Sequence, residues 1–256
     1  MTLRLAWLGV GHLARYCVPP LVARFGVGAL TLSPRGSGAS AELARDLGLA
    51  VAADNAALVG GADVVFLAPR PGDAVAAAEG LPWRQGQIVI SLCAGLPIPT
   101  LAPAVAPATL VRAMPMLAAR WHESPTPLYP ALPEAVEVLA AWGPVIPVPD
   151  EAAFETAAAG SVINSWLMRL LADLTDALAK GGLTPETARL LMAQTFRAAG
   201  TNGREDVATP LAEIWQTLCS PGSFSRKGVE MLDAAGALAP WPAAVQRTLE
   251  LLRKPG

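Results

Sequence analysis

Several features that mark whole classes of protein are scarce or missing in this sequence. Only 16% of the residues are charged, the formal net charge is −2, and no acidic or basic run occurs. We therefore expect no nucleic-acid partner and no attraction to an anionic membrane. The only histidines, His12 and His122, are far apart in the chain, which argues against a metal site.

Cysteines are also few. Cys17, Cys93 and Cys219 are widely spaced and form no C-x-x-C pair. This odd, dispersed set argues against a disulfide framework and predicts a reducing, cytoplasmic compartment. The first residues lack the charged and then apolar run of a signal peptide. The most apolar stretch, residues 161–172, is too short to span a bilayer, so we expect no membrane partner.

The strongest motif lies in the first strand, turn and helix. Residues 3–8 predict a buried strand, and Gly9-Val10-Gly11-His12-Leu13-Ala14 follows as a G-x-G-x-x-A turn that opens a helix. The first glycine permits a tight turn, the second lets a pyrophosphate approach the backbone, and the alanine lets the helix pack on the strand. Free N–H groups at the helix start suit phosphates. We predict a dinucleotide site, although such a turn can also simply close a loop.

The end of the second predicted strand, residues 29–32, indicates which dinucleotide binds. Folds that prefer NAD carry an acidic residue about 20 residues after the glycines, where it binds the ribose hydroxyls. This chain has Ser33, Arg35 and Ser37 there, and their charge and hydrogen-bonding groups suit a 2′-phosphate. We therefore predict NADPH rather than NADH; the alternative is a polar, solvated turn.

Strand and helix patterns alternate through the first half. Short apolar runs that predict strands lie at residues 49–51, 63–68, 87–92, 109–115 and 145–148. Helical segments lie between several of these strands. One helix is predicted from Ser40 to Leu47, with Ser40 as its N-cap. This alternation predicts an α/β domain of the Rossmann type over residues 1–151.

Ligands in open α/β sheets bind at the carboxyl ends of the strands. The segments 68–71, 93–95 and 114–116 follow three predicted strands and should line one crevice with the glycine-rich turn. Cys93 ends a buried strand, so we expect a packed, unreactive thiol. His12 lies at the turn, where an imidazole contacts cofactor or solvent more often than it performs catalysis.

The strand patterns stop in the second half, where apolar residues recur at helical spacing. Thr184-Pro185 and Thr209-Pro210 each combine an N-cap residue with a proline at the first helical position. We expect an all-α domain over residues 152–256, with Trp166 and Trp215 in its core. Its apolar faces are broad, so we predict a homodimer formed through this half.

Several short segments occur in an order and spacing that are specific together, although none is decisive alone. They are the turn 9–14, Ala68-Pro69-Arg70-Pro71, Ser91-Leu92-Cys93-Ala94-Gly95, Val111-Arg112-Ala113-Met114-Pro115 and Ser220-Pro221-Gly222. In these segments, and over nearly its whole length, the chain resembles the pyrroline-5-carboxylate reductase family. The resemblance implies a Rossmann domain, a helical domain that dimerises by intertwining, and reduction of pyrroline-5-carboxylate to proline with NAD(P)H. Some members assemble into larger rings of dimers.

The resemblance also implies site residues, carried over by position. The cofactor set is Gly9, Gly11, His12, Leu13, Ala14, Ser33, Arg35, Asn55, Ala68, Pro69, Arg70, Ala94 and Met114. The substrate is expected at the dimer interface, on the loop that follows Ser220-Pro221-Gly222. There the Ser225 hydroxyl, assigned as the catalytic group, approaches the imine nitrogen. From residue type and helix position alone, an ordinary helix N-cap is the favoured interpretation of Ser225; the resemblance reverses that preference, and the two roles can coexist.

The substrate end departs from the family pattern more than the cofactor end does. The family's motif Ser-Pro-Gly-Gly-Thr-Thr corresponds to residues 220–225 of this chain. Ser223 replaces a glycine of the motif, and Phe224 replaces a small residue. The family's Met-Pro-Asn ends in Met116, which removes an amide near the cofactor. Phe224 is interpreted as a pocket wall, or else as a core anchor. The predicted substrate-binding residues are Ser220, Gly222, Ser223, Phe224 and Met116.

Three functions stay open at this point. The first is NADPH-dependent reduction of pyrroline-5-carboxylate, and the second is reduction of a different cyclic imine by a paralogous enzyme of secondary metabolism. The third is NADPH binding without turnover, as in a sensor. The reaction needs little acid–base machinery, because a cyclic imine carries its own proton near neutral pH and mainly has to be held against the nicotinamide. The chain accordingly has no Ser-His-Asp set and no Tyr-x-x-x-Lys.

Overall fold

The computed structural model describes residues 3–34 and 37–252, apart from the side chains of Ser37 and Leu252. These residues form two compact units that divide between Ser161 and Val162. The predicted fold class, a Rossmann-type α/β unit followed by helices, is confirmed. The domain boundary predicted at residue 151 stays a prediction; a helix begins there and runs past the division between the units.

The first unit is built on one eight-stranded sheet. Its strands are β1 Leu5–Leu8, β2 Leu30–Leu32, β3 Ala50–Val51, β4 Val64–Leu67, β5 Ile88–Ser91, β6 Thr109–Ala113, β7 Thr126–Tyr129 and β8 Val145–Pro147. They lie in the order β3-β2-β1-β4-β5-β6-β7-β8 and are parallel except for the pair β6–β7. The chain changes its direction of travel across the sheet between β1 and β4, which is where such sheets bind ligands.

Helices connect the strands of the first unit and form the described part of the second. They are α1 Ala14–Phe25, α2 Ser37–Leu47, α3 Asn55–Gly60, α4 Ala74–Ala78, α5 Ile98–Val105, α6 Pro133–Leu139, α7 Glu151–Lys180, α8 Pro185–Glu205, α9 Leu211–Leu218, α10 Phe224–Ala234 and α11 Pro240–Leu252. None of these helices combines the length and apolarity that crossing a bilayer requires.

The sheet is buried on both faces. Leu5 and Trp7 of β1 enter one apolar cluster, and Ala6 and Leu8 enter the other, because successive side chains of a strand point to opposite faces. The rings of Trp7 and Phe66 stack with their centroids 5.1 Å apart. Burial on both sides explains why these strands are continuous apolar runs in the sequence.

Helix starts were predicted with mixed success. Thr184 is confirmed as an N-cap, because its hydroxyl accepts a hydrogen bond from the Thr187 N–H at 3.2 Å. The prediction for Ser40 is wrong, since α2 begins at residue 37 and the Ser40 hydroxyl donates instead to the Ser33 carbonyl at 2.6 Å. The start signal at 209–210 is displaced by one residue: Pro210 occupies the N-cap position.

The second unit exposes much of its apolar surface in the single chain. The prediction that Trp215 lies in the core of the helical domain is wrong for the single chain, because this side chain is 41% exposed. Trp166 is half-buried and packs edge-on against Trp241, with ring centroids 6.4 Å apart. Exposed apolar helix surface of this kind is typical of a region that a partner covers.

An ion cluster lies at the amino edge of the sheet. Asp63, just before β4, accepts hydrogen bonds from the Arg4 side chain at 2.8 and 3.1 Å and from Arg84 at 2.7 Å. The Arg4 hydrogen bond, aided by Arg84, holds the pKa of Asp63 well below its usual range. This cluster ties together the chain segments that enter β1, β4 and β5.

The exits of β1 and β4 touch at Gly9. The φ angle of Gly9 is +97°, and a Cβ atom placed on it would lie 2.5 Å from the Pro69 nitrogen and 2.6 Å from the Ala68 carbonyl carbon. The Gly9 N–H donates to the Ser33 hydroxyl at 3.1 Å, and the Trp7 indole donates to the Gly9 carbonyl at 3.1 Å. Glycine is therefore required for conformation and for space.

We predict that Gly9→Ala lowers the free energy of unfolding by about 2–4 kcal/mol, because backbone strain and a collision with rigid backbone add. The measurement is chemical denaturation. Gly11→Ala is the matched control: a Cβ there meets nothing within 4 Å, so we expect a loss below about 1 kcal/mol. Equal losses in the two variants would contradict the prediction.

Candidate active site

A crevice opens at the carboxyl edge of the sheet, between the exits of β1 and β4. It has a volume of about 720 Å³ and is lined by Gly9, Val10, Gly11, His12, Leu13, Ala68, Pro69, Arg70, Asp73 and Leu92. The structure thus brings the glycine-rich turn together with the segment after β4, as the sequence predicted. The segments 93–95 and 114–116 follow β5 and β6 along the same edge, but their residues do not line this crevice.

The turn itself is shaped to receive an anion. Gly11 is exposed, and the volume beside its Cα is open. Leu13, the N-cap residue of α1, makes no side-chain hydrogen bond to the helix start, and the first turn contains no acidic residue. An N-terminus left open in this way presents N–H groups and a positive partial charge. Ala14 is 1% exposed and packs α1 onto the sheet.

His12 lies on the rim of the crevice. Its imidazole is exposed and meets the Tyr16 ring edge-on, with ring centroids 5.1 Å apart. The side chain therefore borders the open space above the turn. Its predicted contact with a cofactor stays a prediction.

Ser33 has a role that sequence reasoning missed. It is 1% exposed, its hydroxyl accepts from Gly9, and its carbonyl accepts from Ser40. Ser33 therefore braces the turn from behind, and its hydroxyl is turned away from solvent. Arg35 lies outside the described residues, as does the Ser37 side chain. Gly9 and Ser33 follow the neighbouring strands β1 and β2 and lie 24 residues apart in the sequence, a spacing that does not by itself reveal the bond.

A second cavity of about 410 Å³ contains Asn55, the first residue of α3. Pro34 and Ala53 also line it, so it lies beside the segment after β2. Asp54 caps α3, so the Asn55 side chain is not needed as the helix cap. The Oδ1 atom of Asn55 is buried without a hydrogen-bond partner. Leaving such an acceptor unpaired costs about 1–3 kcal/mol. A ligand hydroxyl is the kind of donor that fits it.

Cys93 connects the segments after β4 and β5. The thiol is 2% exposed, and its sulfur lies 3.6 Å from the carbonyl oxygens of both Leu67 and Pro69. Burial raises the pKa of the Cys93 thiol, although the Ser91 hydrogen bond and the Arg112 charge oppose that effect. The predicted packing of this thiol is confirmed, and its lack of reactivity stays a prediction.

Arg112 was not singled out by the sequence analysis. It lies in β6, is 1% exposed, and donates from Nη1 to Glu151 at 2.9 Å and to Glu155 at 2.6 Å. The guanidinium also lies 4.5 Å from the centre of the Phe154 ring. Its Nε and Nη2 atoms are buried without a partner. In the sequence, a single arginine inside an otherwise apolar strand could have indicated a buried ion pair, since a buried charge requires partners.

The Ser220–Ser225 loop of the second unit leads into α10. Gly222 adopts a φ of +77°, and the Ser223 hydroxyl caps the helix by accepting from the Arg226 N–H at 3.1 Å. The cap interpretation of Ser225 is therefore wrong: Ser225 lies inside the first turn and is exposed. Phe224 is 91% exposed in the single chain. The core-anchor interpretation of Phe224 does not hold within one copy.

Met116 lies in the first unit, just beyond β6. Its N–H donates to the Ser124 hydroxyl at 2.8 Å. Its terminal methyl lies 3.7 Å from the position that a Cβ on Gly160 would occupy. Met116 is half-buried and apolar where the family has an amide.

Comparison with known proteins matches both halves of the chain. The family model described as pyrroline-5-carboxylate reductase dimerisation matches residues 151–254. The model described as NADP oxidoreductase, coenzyme F420-dependent, matches residues 4–95. A pyrroline-5-carboxylate reductase of Methanosarcina acetivorans is 28% identical over 225 residues, which are 84% of this chain and 83% of that protein.

Solved structures extend the likeness to the whole fold. A pyrroline-5-carboxylate reductase from Coxiella burnetii is 25% identical with a TM-score of 0.83, covering 99% of this chain and 98% of that one. The Plasmodium falciparum enzyme with NADP bound is 18% identical, also with a TM-score of 0.83, covering 98% and 97%. A reductive aminase from Aspergillus terreus in complex with NADPH is 18% identical with a TM-score of 0.57, covering 79% and 75%.

The two family matches agree with the architecture, in which a nucleotide-type crevice precedes an all-helical region. The protein is an oxidoreductase that uses a nicotinamide cofactor and acts on a C=N bond. On these matches, the chain is similar to pyrroline-5-carboxylate reductases over nearly its whole length.

Proposed function

We propose that the protein reduces 1-pyrroline-5-carboxylate to proline with NADPH. The observation that carries this proposal is the likeness to a named pyrroline-5-carboxylate reductase across 99% of the chain, through the sheet unit and the helical unit alike. The named relative from Methanosarcina acetivorans supports it at 28% identity.

The crevice and the second cavity, which contains Asn55, each suit a part of a dinucleotide. The open volume at Gly11 and the uncapped start of α1 suit the pyrophosphate, and the unpaired Asn55 oxygen suits a ribose hydroxyl. On the proposed arrangement, His12 and the segment 68–70 border the cofactor, and Ala94 and Met114 lie at its nicotinamide end. When bound, the nicotinamide supplies a hydride from its C4 atom.

The chain's own residues position the substrate rather than activate it. Phe224 and Ser225 begin α10, and their N–H groups suit a substrate carboxylate. Ser223 already accepts from the Arg226 N–H, which removes that donor from the set. The Ser225 hydroxyl orients the imine nitrogen. Holding the reacting atoms in line is the main source of rate acceleration on this scheme.

The proposal assigns 2′-phosphate recognition to Arg35 and Ser37 and gives Ser33 a supporting part, since its hydroxyl already accepts from Gly9. It also makes the protein a homodimer through residues 152–256; the match to a dimerisation model and the exposed apolar helices support this. A larger ring of dimers and a cytoplasmic location stay predictions.

A second candidate function is reduction of a different cyclic imine. Phe224 favours it, because a large apolar ring stands where the family has a small residue and is 91% exposed beside Ser225. A ring there narrows or reshapes the space open to a substrate.

We expect purified protein to oxidise NADPH with pyrroline-5-carboxylate at a kcat on the order of 1–10³ s⁻¹, and to use NADH less well. Absorbance at the nicotinamide band measures this, with a six-membered cyclic imine and a ring without a carboxylate run in parallel. Faster turnover of another imine would favour the second candidate. Tight NADPH binding without turnover of any imine would indicate a sensor.

We predict that Arg35→Ala raises the KM for NADPH about tenfold, since a lost charged hydrogen bond is worth about that factor. The KM for NADH should change less than about twofold. Arg45→Ala is the charge-matched control, because Arg45 is exposed and pairs with Asp46. An equal rise for both cofactors would contradict the assignment.

We predict that Ser225→Ala lowers kcat about tenfold, because one hydrogen bond to the imine nitrogen is lost. Its thermal midpoint should stay close to that of the parent, since Ser223 is the cap. Thr248→Ala removes a hydroxyl from the exposed surface of α11 and serves as control. Unchanged turnover in Ser225→Ala would remove the proposed role of that hydroxyl.

A further inference from the structure

The Arg112 cluster joins three segments at the carboxyl edge of the sheet. Arg112 belongs to β6, and Glu151 and Glu155 belong to the first two turns of α7. The same Glu151 oxygen that accepts from Arg112 also accepts from the Ile98 N–H at 2.7 Å. That N–H belongs to the first residue of α5, so one carboxylate oxygen connects β6, α5 and α7.

Each of these segments leads to the proposed nicotinamide end. The loop that runs from β5 into α5 contains Ala94, and its far end is fixed by the bond between Ile98 and Glu151. Met114 follows Arg112 by two residues, and its N–H donates to the Pro127 carbonyl at 3.2 Å. A displacement of Arg112 would therefore displace both the loop that contains Ala94 and the backbone at Met114.

Stability alone does not account for this arginine. A buried ion pair is usually no more stable than well-packed apolar groups of similar volume, and this one leaves two guanidinium nitrogens unpaired. Buried charges of this kind can instead select one arrangement of the groups around them. Both partners of Arg112 lie in α7, 39 and 43 residues away in the sequence, so the pairing fixes two elements that are distant along the chain against each other.

We propose that Arg112 is a positioning residue for hydride transfer: through Glu151 and Glu155 it fixes the loop of Ala94 and the exit of β6 against the start of α7. The proposal rests on the proposed nicotinamide reduction. Both hydrogen bonds come from a single nitrogen, Nη1. A lysine, whose one nitrogen carries three donors, can therefore supply both of them.

The test compares three variants with the parent. The neutral triple variant Arg112→Met, Glu151→Gln, Glu155→Gln removes the charges without stranding any of them. We expect its kcat to fall at least about tenfold, with a KM for NADPH within about threefold of the parent. Small displacements of the reacting groups slow the reaction more than they weaken cofactor binding. Arg112→Lys should restore most of kcat. Asp63→Asn, at the opposite edge, should lower the thermal midpoint and leave kcat unchanged.

Fluorescence of bound NADPH gives a readout without turnover. In the triple variant we expect emission closer to that of free NADPH, at a dissociation constant within about threefold of the parent. This measurement tests the positioning role even if pyrroline-5-carboxylate is not the substrate, in which case the parent itself would show no turnover. Parent-like kcat and emission in the triple variant would overturn the proposal, as would an Arg112→Lys variant as slow as the triple variant.

Discussion

The first unit depends on one close contact, where the backbone leaving β1 meets the backbone leaving β4 at Gly9. The contact leaves no room for a Cβ atom, and hydrogen bonds from Gly9 to Ser33 and from Trp7 to Gly9 hold it. Because the two exits are fixed against each other, the turn bends away from β4 and α1 begins facing open space. The crevice follows from that contact rather than from any particular side chain within it.

The proposed site is accordingly made mostly of backbone. In the first unit, Gly11 and Leu13 offer N–H groups and space, while the buried thiol of Cys93 and the cluster around Arg112 hold the surrounding loops. This design suits a reaction in which the substrate brings its own proton. On the proposed function, fixed geometry takes the place of general acid–base catalysis as the main contribution of the protein.

The parts of the fold that were foreseen depend on local patterns. The buried parallel strands stand out because both faces of the sheet are covered, and the helices of the second half stand out by their spacing. By contrast, β7 and α6 were missed. The segment forming β7 contains Pro127 and pairs antiparallel with β6, and neither its composition nor its length distinguishes it from a loop.

The parts of the site that belong to a sequence motif were predicted, whereas the parts that depend on contacts between distant residues were missed. The glycine-rich turn and the segment after β4 form one crevice, as their places at strand ends predicted. Glu151 and Arg112 are 39 residues apart, and no periodicity connects them. For α2, a run of small polar residues offers several possible starts, so the cap was assigned to Ser40 although the helix begins at residue 37.

The position of Ser33 has an evolutionary consequence. Ser33 is 1% exposed, and its hydroxyl faces inward and accepts from the Gly9 N–H. On the proposed assignment of 2′-phosphate recognition to Arg35 and Ser37, substitutions at those two positions would alter the charge offered to a nucleotide ribose and leave the hydrogen bond between Gly9 and Ser33 intact. On that assignment, the stability of the turn and the preference for a cofactor depend on neighbouring but separate residues, so selection could change the cofactor preference without destabilising the turn.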